Sequence, residues 1–193
     1  MSIYVIEEGP NGSERSHDLM ARLLKDRIIY ISQEFNQELA NVVSAQLLYL
    51  ESVDNSKDIH LYINSPGGEV SAAYAIYDVM SYIKPDVATI CFGRAYSAAS
   101  FILAAGAPGK RFALPNASIM IHELSAGYDG KYNDVKVAYT RTQKLHEKLA
   151  NDYVKFTKQP LEKILKDMER DFFMSAEEAK EYGLIDKVQY KRN

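Results

Sequence analysis

Cysteine is nearly absent from this sequence. Cys91 stands alone among 193 residues, so no disulfide can close within the chain and the cross-linked framework of a small secreted domain is excluded. A reducing, cytoplasmic compartment is the expectation. An excess of basic charge is missing too. With 23 Lys and Arg against 26 Asp and Glu the formal charge is −3, which offers no net attraction to nucleic acid or to an anionic membrane. Basic residues near the C-terminus, Lys187, Lys191 and Arg192, read as a solvated end. The longest apolar stretches, around Ala98–Ala107 and Ala113–Ile121, are too short or too interrupted to span a bilayer. Met1–Glu8 lacks the basic segment and apolar run of a secretory signal, and no pro-segment is evident. A lysine-bearing phosphate loop, a three-glycine dinucleotide fingerprint and zinc-type ligand spacing are all missing. No cofactor or metal of the chain's own is therefore expected. Internal repeats and low-complexity segments are also lacking.

What is present is the composition of an ordinary globular protein, 47% hydrophobic and 25% charged, at a length that suits one domain over residues 1–193. The breaker cluster Gly9-Pro10-Asn11-Gly12-Ser13 sets off a short extended N-terminal arm, residues 1–15, from the body. A helix through Leu19–Leu24 leads to a strand at Ile28–Ile31. Leu39, Val42, Val43, Leu47 and Leu50 then recur at helical spacing. Asp58–Ile63 alternates as a strand, Pro66-Gly67-Gly68 turns the chain, and Val70–Ile83 reads as a helix ended before Pro85. Val87–Phe92 is a third strand, followed by a glycine turn at Gly93 and an apolar helix from Ser97 to Ala105. Ser118–Ile121 is an apolar strand ending on His122. Strands alternating with helices predict a mainly parallel sheet whose ligands lie at the carboxyl ends of its strands.

Past the glycine-containing segment Ser125–Lys131, a long helix is predicted from Asn133 to Phe156. Its stripe is Val135, Thr142, Leu145, Leu149 and Phe156. Such a helix, followed by Thr157-Lys158-Gln159-Pro160 and a second short helix, reads as a projecting extension that makes subunit contact. Ser175-Ala176-Glu177-Glu178 is a capping box opening a helix that stops at Gly183, and Leu184–Val188 is a final strand.

Three polar residues at element boundaries stand out. Ser97, in Gly93-Arg94-Ala95-Tyr96-Ser97-Ala98-Ala99-Ser100, sits at a helix N-terminus, where the dipole and free N–H groups favour developing negative charge. Simple helix capping explains such a serine equally well. His122 ends an apolar strand, where an imidazole can point into a cleft, whereas His17, His60 and His146 have no nucleophile near them in sequence. Asp171 falls between a charged helix end and a buried strand, placed to orient an imidazole and stabilise its cation. Gly67 and Gly68 let the backbone present N–H groups unobstructed. The N–H of Gly68, paired with that of Ala98, would make an oxyanion hole.

Taken together, these segments resemble the proteolytic subunit family of Clp proteases over nearly the whole chain. The stretches that carry the resemblance occur in order: Arg22-Leu23-Leu24-Lys25-Asp26-Arg27, Leu61-Tyr62-Ile63-Asn64-Ser65-Pro66-Gly67-Gly68, Ala113-Leu114-Pro115-Asn116, Ile119-Met120-Ile121-His122, and Arg170-Asp171 through Ser175-Ala176-Glu177-Glu178-Ala179. The resemblance implies an α/β, crotonase-like single domain with a projecting handle helix, the handle region covering residues 123–157. It implies an ATP-dependent serine endopeptidase with Ser97 as nucleophile, His122 as general acid/base, Asp171 as its orienter, and Gly68 and Ala98 as oxyanion donors. It further implies a homo-oligomer of two stacked heptameric rings enclosing a chamber for unfolded protein or peptide substrates. A hexameric Clp ATPase would feed that chamber and use the ATP itself. Glu169 and Arg170 match a charged pair of the ring-ring contact. Tyr62, Tyr82 and Phe112 match aromatic positions of the groove that receives a loop of the ATPase.

The sequence also departs from the family pattern. Tyr96 stands for a usual alanine and Ala98 for a usual methionine. Glu123-Leu124 replaces Gln-Pro, Ala126 the first glycine of the handle motif, and His60 a common groove tyrosine, while Ser13 is an extra residue. The ring of Tyr96 is expected in the core behind the Ser97 turn, leaving Ala98 to deepen the primary pocket. A ring in the cleft would instead obstruct substrate. Two other functions compete: a divergent paralogue serving as a structural subunit of a mixed assembly, and acyl-CoA chemistry on a crotonase fold. Enolate chemistry needs no serine nucleophile, which favours peptide hydrolysis over the latter.

Overall fold

In a computed structural model, which describes residues 3–8 and 14–191, the chain begins as a hairpin. β1 (Tyr4–Glu8) pairs antiparallel with β2 (Glu14–Asp18), Val5 lying opposite His17. The segments on both sides of residues 9–13 thus belong to one ribbon, and the expected arm, residues 1–15, ends within β2. The breaker cluster itself, with Ser13, lies outside the described residues, as does Arg192. Asp18 then caps α1 (Leu19–Lys25), accepting the N–H groups of Met20 and Ala21.

β3 (Ile28–Ile31) precedes α2 (Gln37–Val53), whose N-cap Asn36 accepts the Leu39 N–H at 2.8 Å. The helical spacing read in the sequence turns Leu39, Val43, Leu47 and Leu50 into the core, while Val42 is 50% exposed. β4 (Ile59–Ser65) buries every second residue, so Ile59, Leu61, Ile63 and Ser65 face the helices and His60, Tyr62 and Asn64 line the other face. α3 (Val70–Tyr82) follows the glycine turn.

β5 (Val87–Tyr96) runs four residues beyond the expected strand end. Gly93 is a kink inside the strand: its φ is +74°, and a Cβ there would lie 2.7 Å from Asn64 Oδ1. Asn64 also accepts the Arg94 N–H at 3.2 Å, and the register with β4 slips between Ile63 and Ser65. Such a bulge re-aims the end of a strand without ending its pairing. α4 (Ala98–Ala104) is buried at all seven positions. β6 (Arg111–Ala113), too short to show alternation in sequence, pairs with the first part of β5, and β7 (Ser118–Ile121) with the second part.

α5 (Tyr132–Thr157) is 26 residues long, and its buried positions begin only at Leu149. α6 (Leu161–Met168) leads into β8 (Phe172–Ser175), and the capping box of Ser175 and Glu178 opens α7 (Ala176–Tyr182), closed by Gly183 at φ +94°. β9 (Lys187–Val188) is shorter than the expected strand, because Leu184 and Ile185 enter the core directly behind the helix cap. Among the described residues the sheet has seven strands, in the order β3-β4-β5-β6-β9, with β7 beside β5 and β8 beside β7. All pairs are parallel except β7 with β8. Cys91 is fully enclosed at its centre.

Candidate active site

The long β5 delivers Ser97 to the head of α4 in a conformation that few non-glycine residues adopt, φ 55° and ψ −122°. Such a backbone costs about 1–3 kcal/mol and persists only where its surroundings hold it. Here the Ser97 N–H donates to Met120 O at 2.9 Å and its carbonyl accepts the Phe101 N–H at 3.1 Å. The side chain makes no capping bond to its own helix, which removes the capping explanation. Its Oγ instead lies 2.8 Å from Nε2 of His122.

Topology brings the other two groups together. β7 and β8 run antiparallel with Ile121 opposite Phe172, so the residue that follows one strand faces the residue that precedes the other. His122 Nδ1 and Asp171 Oδ1 are 3.2 Å apart. A carboxylate only accepts, so the neutral ring carries its proton on Nδ1 and offers the Nε2 lone pair to the Ser97 hydroxyl. The Asp171 side chain is 58% exposed and that of His122 30%. β8 is not the buried strand expected behind Asp171, since Phe173 is 55% exposed.

A cavity of about 340 Å³ opens beside Ser97 and His122, with Val70, Ala73, Ala98, Phe101, Leu149 and Tyr153 among its walls. Gly68 borders it. Gly67 must be glycine: at φ +97° a Cβ would stand 2.5 Å from Tyr96 O and 2.7 Å from Ser97 Cβ. Gly68 bridges Phe35 through bonds that use Gly67 O, Phe35 N, Phe35 O and Glu69 N, which leaves its own N–H directed away from that pairing. The Ala98 N–H lies in the first turn of α4, where no intrahelical acceptor exists. Ser65, passed over in the sequence, anchors this turn by donating to Gln33 O at 2.6 Å and accepting the Gly67 N–H at 3.2 Å. A polar residue closing the buried face of β4 was the available signal.

Tyr96 lies neither in the core nor in the cleft, correcting both geometries weighed for it. Tyr96, Met120 and Phe173 share one row across β5, β7 and β8. The Tyr96 ring meets Phe173 edge-on at 5.4 Å and has the Arg94 guanidinium 5.8 Å from its centroid. The remaining residues singled out in the sequence are scattered. Tyr62 lines a separate cavity of about 440 Å³ with Tyr30, Ile90 and Leu114, and Phe112 pairs in register with Ile90. Tyr82 is absent from that lining and is 80% exposed at the end of α3. Glu169 and Arg170 are exposed beside Asp171, in a depression shared with His122. Among the described residues no group of three or more His, Cys, Asp or Glu could hold a metal ion, and no helix is long and apolar enough to cross a membrane.

A hydroxyl, an imidazole and a carboxylate aligned beside an apolar pocket, on a mainly parallel α/β sheet, form a hydrolase-like arrangement. The family model for Clp protease matches residues 11–192, and the chain belongs to that family. It is therefore a peptidase, with the α/β, crotonase-like fold of that family.

Proposed function

We propose that this chain is a serine endopeptidase in which Ser97 is the nucleophile, His122 the general acid/base and Asp171 the group that orients the imidazole. The observation that carries the reading is the unbroken line from Ser97 Oγ through His122 to Asp171, at 2.8 Å and 3.2 Å. Ser97 Oγ attacks the scissile carbonyl as its proton passes to His122 Nε2. Asp171, bonded to Nδ1–H, stabilises the imidazolium that forms. The N–H groups of Gly68 and Ala98 receive the charge on the carbonyl oxygen, each donor of this kind contributing about 10²–10³ in rate. His122 then returns the proton to the leaving amine, and a water activated by the same ring hydrolyses the acyl-enzyme.

In this reading the working form is a pair of stacked heptameric rings in the cytoplasm, fed with unfolded protein by a hexameric Clp ATPase that consumes the ATP. The unburied first part of α5 supports the handle role in that assembly, and the aromatic cavity at Tyr62 supports a docking role. A merely structural subunit of a mixed assembly is disfavoured by the place of the Tyr96 ring, which lies against Phe173 and leaves the cleft open. The decisive experiment is labelling of the purified protein with a serine-reactive phosphonate, followed by peptide mapping. The adduct is expected on Ser97. An unlabelled chain that also fails to cleave a fluorogenic peptide would overturn the reading in favour of the structural subunit.

A further inference from the structure

Two buried hydroxyls behind the pocket wall take no part in the chemistry above. Ser100 is fully enclosed and Tyr153, on α5, is 2% exposed. Ser100 Oγ donates to Ser97 O at 2.7 Å and lies 2.9 Å from Tyr153 OH. Because the single Ser100 proton is committed to the Ser97 carbonyl, the tyrosine must be the donor in the second contact. Burial pushes the Tyr153 phenol upward, against a lesser effect of the Ser100 bond, so it keeps the proton it donates. The order is therefore fixed: Tyr153 O–H to Ser100 Oγ, and Ser100 O–H to the carbonyl of Ser97.

That carbonyl and the Ala98 N–H belong to one planar peptide unit and point in opposite directions. Whatever fixes the carbonyl fixes the N–H. The Phe101 N–H bonds this carbonyl at 3.1 Å as the first turn of α4, and the Ser100 hydroxyl adds a second, shorter bond at 2.7 Å that fixes it on its other lone pair. From this we infer that Ser100 and Tyr153 are positioning residues that hold the Ser97–Ala98 peptide plane, aiming and polarising the Ala98 N–H as an oxyanion donor. The inference rests on the proposed serine-peptidase reading. Hydrogen bonds in a chain strengthen one another in a low-dielectric interior, and this chain ends on the peptide unit next to the reacting atom. The relay also spans two elements that are distant in sequence, α4 and α5, so it ties the turn at Ser97 to the long helix.

A purely structural pair would affect stability alone, whereas a relay acts on the transition state. The test compares wild type, Tyr153→Phe, Ser100→Ala and the double variant as assembled full-length protein. It measures fluorogenic-peptide kinetics, inhibition by a peptide boronate whose tetrahedral adduct places an oxygen opposite the donor N–H groups, and thermal unfolding. Tyr153→Phe keeps the ring in the pocket wall. It is expected to lower kcat by about tenfold with KM within about twofold, and to weaken the boronate by about the same factor as kcat. The double variant should be no slower than Ser100→Ala, because the two hydroxyls act as one chain. Wild-type kcat and boronate affinity in the variants, or a raised KM at unchanged kcat, would overturn the relay. Should Ser100→Ala fail to fold, Tyr153→Phe decides by itself. Phosphonate labelling of wild type separates the two levels: label and cleavage with unaffected variants sink the relay alone, while neither label nor cleavage in wild type sinks the peptidase reading and the relay with it.

Discussion

Asp171→Asn keeps the shape of the side chain but lets it donate where it should only accept, favouring the wrong tautomer of His122. Turnover of a short peptide should fall by up to about 10⁴-fold while the protein still folds. Wild-type turnover in the purified variant would show that another group completes the site. Ala98 and Tyr96, which flank Ser97, are expected to behave differently from each other. Ala98 forms part of the pocket wall and Tyr96 does not, so Ala98→Met should narrow the preference for large apolar residues before the scissile bond. Tyr96→Ala should leave that preference unchanged. A peptide library profiled on both variants checks this, and a shift caused by Tyr96→Ala would contradict the geometry. At this scale the sequence was legible where a polar residue closes an apolar element, as at Ser97 and His122. It misplaced the Tyr96 ring, whose direction depends on β8 joining β7, and was silent on Ser100 and Tyr153, which are brought together only by the packing of α5 on α4.

Short elements are secured by one arginine. Arg111 in β6 bonds Asp186 through Nη2 at 2.6 Å and Nε at 3.0 Å, and its Nη1 reaches the carbonyls of Ala104, Phe156 and Gly183. It thereby joins the ends of α4, α5 and α7 to a three-residue strand. Burial pushes the Asp186 carboxyl upward, but the bonds from Arg111 outweigh it and hold the group below the usual carboxylate range. The stabilisation is therefore complete above the unfolded value of about 3.9 and is lost as pH falls through the lower folded value. Arg111→Met should cost about 3–5 kcal/mol at neutral pH by stranding a partly buried carboxylate. The deficit should shrink in acid, where Asp186 is neutral. Urea unfolding of both proteins at pH 7 and in acid measures it, and a deficit independent of pH would assign the cost to the three carbonyls instead. Helix ends that carry their own chemistry, such as Ser175 with Glu178 and then Gly183, could be read directly. β6 could not, because three residues reveal no period, and β9 was overdrawn because burial of Leu184 and Ile185 looks the same in a strand and behind a cap.

For the whole molecule, the consequential feature is that α5 buries nothing before Leu149. Val137 is 70% and Tyr139 58% exposed on that part of the helix, while Leu145 is half-buried. Apolar side chains displayed along a helix without a core behind them mark a surface that another chain covers. If the proposed stacked rings meet through α5, Val137→Glu and Leu145→Glu should separate them before either disturbs the monomer fold, since an unpaired carboxylate is costly in an interface and mild in water. Native mass spectrometry alongside circular dichroism decides this. Intact assemblies in both variants would remove the handle role from α5. The length of this helix and its projection were legible from the span of the pattern and the Thr157-Lys158-Gln159-Pro160 break behind it, but the residue at which burial begins, Leu149, was not. The heptad-like stripe is the same whether a helix packs on its own domain or on a neighbour.

The enclosed Cys91 makes the molecule chemically quiet. Burial pushes its thiol up to about 12, so the reactive thiolate is scarce as well as inaccessible. The chain also contains no tryptophan. Native protein should take up no maleimide and denatured protein one, as counted by intact mass. A native adduct would mean that the centre of the sheet opens. Tyr82→Cys, at a position that is 80% exposed, would then accept a single dye with no background, and an introduced indole would be the molecule's only one. Distances and local motions in the folded protein can thus be followed without first stripping the chain of its own reporters.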